Sequence, residues 1–134
     1  MSKSNATETD LLSLTFTATA LPWAAATELD IHLHTADPGE AGNSSTNEAT
    51  YGGYTLITVN RSSADWTVTG NTVTNDNLIQ FPQCASGSNT LTHVSVTPNG
   101  STQILYSGAL NSSLSVSTGI QPQFAAGALS ITED

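Results

Sequence analysis

The segment TELDIHLHT, residues 27–35, alternates without a break: Leu29, Ile31 and Leu33 fall on one side of an extended chain, and Asp30, His32 and His34 on the other. A period of two excludes a helix there and predicts a strand that buries one face. The same signal returns in short β-branched and aromatic runs: YTLITVN (54–60), ADWTVTG (64–70), NTVTN (71–75), LIQF (78–81), TLTHVSVT (90–97), TQILYSG (102–108), SSLSVST (112–118) and GALSIT (127–132). Gly, Asn, Asp and Ser punctuate them. With no helical periods between strands, a parallel sheet is excluded. The expected fold is all-β: an antiparallel β-sandwich or jelly roll of about eight strands.

Asn99-Gly100 tolerates positive φ at both central positions and predicts a hairpin turn over 97–102. TETDLLSLTF, residues 7–16, departs from the pattern. Thr7 and Thr9 can cap, Glu8 and Asp10 suit a first turn, and Leu11, Leu12 and Leu14 follow, so one short N-terminal helix is expected. The division is an N-terminal arm over 1–10 and a single sandwich domain over 11–134. The expected core is Leu29, Ile31, Leu33, Tyr54, Leu56, Trp66, Val68, Phe81, Val94, Val96, Ile104, Leu114, Val116, Phe124, Leu129 and Ile131, with Cys84 as a small buried hydrophobe. Residues 36–53, rich in Pro, Gly and Asn, read as a long surface loop.

Charge narrows the function. Lys3 and Arg61 are the only strong cations against eleven acids, a net charge of −9 in 134 residues. A phosphate backbone or an anionic membrane would repel such a chain, so neither nucleic acid nor membrane is an expected partner. The polar N-terminal residues lack the apolar run of a secretory signal, which points to synthesis in the cytoplasm. A single cysteine allows no internal disulfide.

Candidate chemistry is sparse. His32 and His34 leave one face of a strand and His93 lies on another, a set that suits zinc; as members of an alternating strand, they read more simply as its wet or subunit-facing side. The second reading is preferred, since no fourth ligand motif accompanies them. Asp37, Glu40 and Glu48 offer oxygen ligands but lack the spacing of a calcium loop, and read as a solvated acidic turn. No nucleophile elbow, phosphate-cradling glycine loop or carboxylate pair is present, so no enzyme, cofactor or metal is expected. Trp23 and Tyr51 remain as exposed aromatics that could stack on a sugar.

Taken in order, LLSLTF, LDIHLHTADPGEAG, NEATYGGYT, LIQFP, LTHVSVTPNG, ILYSGAL and FAAGALSIT resemble a family of small phage virion proteins commonly named tail fibre proteins. The likeness runs from about residue 10 to residue 132, with departures at NTVTNDN and HLH, where more apolar residues are usual. It implies a non-enzymatic structural component of a phage particle. A compact acidic domain without a shaft repeat suits a capsid decoration (cement) protein on the outer surface of the head, partnered by the major capsid protein and expected as a homotrimer. A tail-fibre-associated module, or one binding a host receptor or glycan, is the alternative. Contacts are expected at Lys3, Leu11, Leu12, Leu14, Asp37, Glu40 and Tyr51, on the arm, the helix and the 36–53 loop. The helix either closes one end of the core or lies on a partner.

Overall fold

The computed structural model describes residues 1–134: one helix followed by nine strands. In chain order these are α1 (Asn5–Thr17), β1 (Glu28–His34), β2 (Ile57–Asn60), β3 (Trp66–Thr69), β4 (Thr72–Asn75), β5 (Ile79–Gln80), β6 (Ser88–Pro98), β7 (Tyr106–Ser117), β8 (Gln123–Phe124) and β9 (Ser130–Thr132). Every pairing is antiparallel. β2-β1-β6-β7 form a four-stranded sheet, β3-β4-β9 a three-stranded one, and β5-β8 a short pair. The fold is the expected all-β sandwich.

Ile31 and Leu33 of β1 pair across the ladder with Val96 and Val94 of β6. These four side chains are buried and pack with Ile79, Leu129 and Ile131 from the opposite layer. Phe81 is fully buried, stacks on Tyr54 at 6.3 Å and meets Phe124 edge-on at 6.3 Å. Pairs of this kind add roughly 0.5–1.5 kcal/mol each beyond their buried area. The GGY step has a steric cause: Gly52 pairs with Ser86, and a Cβ on Gly52 would sit 2.0 Å from the Ser86 hydroxyl oxygen.

Several expectations need correction. The segments 102–108 and 112–118 do not form two strands: Tyr106–Ser117 is one long strand, bent by an irregularity in its pairing between Leu91 and His93 of β6. The two-residue strand β8 carries too little pattern to be read from sequence. Leu56, just before β2, lies at the surface, as do Val68 and Leu114, because β3 is an edge strand and β7 is free along one side. Leu29, Tyr54, Trp66 and Phe124 are half-buried at the margins of the core. In the hairpin only Gly100 takes positive φ, at 76°, and Ser101 N–H donates to Pro98 O at 3.0 Å, the pattern of a type II turn.

The N-cap of α1 is Ser4, not Thr7 or Thr9. Its hydroxyl accepts from Thr7 N–H at 3.3 Å, and the Thr7 hydroxyl instead donates to Ile104 O at 2.8 Å. Those two buried side chains moor the helix to the 101–104 segment. Asn5 N–H adds a bond to Glu40 O at 2.9 Å.

The largest departure concerns the polar face of β1. Asp30, His32 and His34 are 3%, 3% and 0% exposed. β1 is a central strand, and residues 44–48 and the hairpin turn fold over its second face, so an alternating pattern here marks two buried faces of opposite polarity rather than one wet face.

Candidate functional site: a buried polar layer, a bare helix and an apolar cleft

The layer over β1 is fully wired. His32 Nδ1 lies 2.7 Å from Glu48 Oε1, and its Nε2 lies 3.1 Å from Thr97 Oγ1. His34 Nδ1 lies 2.9 Å from Thr46 O, and its Nε2 lies 2.7 Å from Ser95 Oγ. A carboxylate or carbonyl can only accept, so each neutral ring carries its proton on Nδ1 and accepts a hydroxyl proton at Nε2. Glu48 also accepts from Tyr54 O–H at 3.1 Å, while the Tyr54 oxygen takes Leu33 N–H at 3.0 Å. Burial, with Glu48 nearby, raises the Tyr54 pKa. Burial lowers that of His34 against the opposing pull of Thr46 O. Asp30 accepts from Thr58 O–H, Asn99 Nδ2–H and Gly100 N–H at 2.7, 3.0 and 3.1 Å, tying β2 and the hairpin turn to β1.

Thr97–His32–Glu48 and Ser95–His34–Thr46 O thus have the spacing of hydroxyl, base and orienting acceptor. Access is what they lack. Ser95 and Thr97 are 0% exposed, and none of the larger cavities is lined by either hydroxyl or by His32 or His34. His93 faces His34 across the ladder, yet its Nδ1 bonds the Thr92 hydroxyl at 2.8 Å. His32 and His34 are not on a wet face; they are internal polar struts, while His93 is half-buried.

The residues expected to make contacts are dispersed. Lys3 is ion-paired with Glu133 and lies over the Tyr106 ring, 5.9 Å from its centre. Its ammonium, followed by the Tyr106 hydroxyl, holds the Glu133 carboxyl below the usual range; burial and Glu133 push Tyr106 up to about 12. Asp37 and Glu40 are exposed, the former closing a turn onto Gly39 N–H at 2.8 Å. Glu48 joins neither, being committed to His32 and Tyr54. Tyr51 is not an exposed aromatic: it is 3% exposed and donates to Pro82 O at 2.7 Å.

The helix does not close the core. Of its thirteen residues only Thr7 is buried; Leu11 is half-buried, and Leu12, Leu14 and Phe16 are 59%, 41% and 79% exposed. Isolated helices this short are marginal in water, and an apolar surface left in solvent marks a contact site. Phe16, absent from the sequence-level contact set, is the most exposed of its large apolar residues; its place beside Leu12 at i+4 was the available signal.

The second feature sequence reasoning missed is a cleft of about 520 Å³ where the sandwich layers part. Leu29 and Val96 line one side, Val68, Val73 and Ile131 the other, and Trp23 and Trp66 complete the apolar lining. Arg61 fixes the Trp23 segment by donating to the carbonyls of Trp23, Ala24 and Ala26 at 3.2, 3.0 and 2.8 Å, with its guanidinium 5.5 Å from the indole centre. Trp23 Nε1–H is buried without an acceptor. Leaving such a donor unpaired costs on the order of 1–3 kcal/mol.

Residues 2–132 match the sequence family described as Podophage GP4 fiber I protein gp80. The chain belongs to this family. No curated protein matches it. Membership covers nearly the whole chain and gives it a structural role in a phage particle, of the fibre type. No helix of the fibre-family chain is long and apolar enough to cross a membrane.

Proposed function

We propose that this fibre-family chain is a non-enzymatic structural subunit associated with the tail fibres of the phage, working through surface contacts. Family membership from residue 2 to residue 132 carries the reading. The geometry supports it: the two hydroxyl–histidine–acceptor sets that resemble catalytic machinery are sealed beneath the 44–48 segment, whereas the unsatisfied groups, on α1 and at the cleft, suit docking. Gold-labelled antibody against the protein on purified particles tests the placement. Label on the tail apparatus is expected.

Capsid decoration is the second reading, favoured by the compact acidic domain and the lack of any shaft repeat. It predicts label over the head shell, with the major capsid protein as partner, and that result would replace the fibre placement.

A further inference from the structure

We propose that copies of this chain assemble head to tail, the C-terminal tip of α1 in one copy seating Phe16 in the cleft between the sheets of the next. The tip and the cleft are complementary in polarity and charge. Phe16 and Leu12 project from the same side of the helix and stay largely in water. The cleft is apolar and its volume exceeds what a benzyl and an isobutyl group require.

Polar complementarity is more specific. The last carbonyls of a helix lack intrahelical donors and carry the negative end of its dipole; here the final turn has no basic side chain to offset them. Lining the cleft stands the converse: Arg61, exposed and without a carboxylate partner, whose Nη1 alone is engaged, by the carbonyls of Trp23, Ala24 and Ala26. Lys3, the other cation, is consumed by Glu133. The one cationic side chain without an acidic partner thus lies where an incoming helix terminus would bring acceptors.

A second copy fits better than the chain's own helix. Phe16 remains 79% exposed where the fold places it, so each copy carries an unfilled cleft and an unhoused tip. Such a contact is heterologous and closes into a ring when the rotation between copies permits. The inference does not rest on where the protein sits on the particle.

Analytical ultracentrifugation of the full chain tests it. At −9 per copy, long-range repulsion opposes association, so self-association is expected to strengthen as salt rises from about 0.05 to about 0.5 M. Phe16→Asp and Val68→Asp both alter exposed side chains, leave the circular dichroism spectrum intact, and each weaken association at least about a hundredfold. The Phe16→Asp chain keeps a working cleft and the Val68→Asp chain a working tip, so mixing them yields a one-to-one complex. Oxidising the Phe16→Cys, Val68→Cys double variant cross-links copies to one another. A chain that stays monomeric at every concentration and salt, an assembly that neither aspartate weakens, or variants that fail to complement each overturns the proposal. A cross-link confined within single chains overturns the choice of a second copy.

Discussion

β1 and α1 invert the usual placement of residues. β1 buries an aspartate and two histidines; α1 leaves Leu12 and Phe16 in solvent. The difference lies in what each has as neighbour. On β1 the polar nitrogens and oxygens find partners at 2.7–3.1 Å within the chain, so burial leaves little unpaired. On α1, Leu12 and Phe16 find none. Internal closure therefore marks the histidine layer as architecture, and unfinished burial marks the helix and the cleft as places of contact.

The contrast can be broken by substitution. His34→Ala should be the most damaging, destabilising the fold by about 3–4 kcal/mol in urea titration, because it opens a cavity and strands the Ser95 hydroxyl and Thr46 carbonyl. A loss under about 1 kcal/mol would mean that the layer is dispensable. Asp30→Ala should cost about 2–3 kcal/mol, since three donors lose their acceptor at once.

Acid probes the same layer. Burial holds His34 below its ordinary value of 6.5, so protonation favours the unfolded chain. Its contribution is complete above about pH 6.5 and is lost as pH falls from there toward the folded value. Midpoints in urea measured from pH 7.5 down to 5 should decline, and the His34→Gln variant should lose that part of the slope.

Changes on the helix should be far smaller. Ala18 ends α1 at φ 53°, a left-handed conformation costly for any residue with a Cβ, so Ala18→Gly should raise thermal stability by a few tenths of a kcal/mol to about 1. Phe16→Ser should leave the unfolding free energy of the isolated copy within about 0.5 kcal/mol. A large loss there would show that α1 belongs to the core after all.

Much of the fold was legible because period-two alternation in segments such as 27–35 and 90–97 is a local signal, and turns at Gly and Asn divide them. Exposure was not. His32 and His34 look like a wet face until residues 44–48, from a segment that reads as loose, close over them. Val68 alternates like a core residue, but β3 lies at a sheet edge. The Trp23–Arg61 wall brings together residues 38 positions apart through three carbonyl contacts with no sequence signature. The candidate site was legible only as apolar residues on the helix, Leu12, Leu14 and, by its i+4 spacing from Leu12, Phe16; its receptor emerges from the assembled sheets.

Ser2 pairs with Ser107, and Lys3 clasps Glu133. The first and last residues therefore leave the domain at one corner. A tether pulling on both would load that corner first, where the Ser2–Ser107 bridge and the Lys3–Glu133 pair meet it.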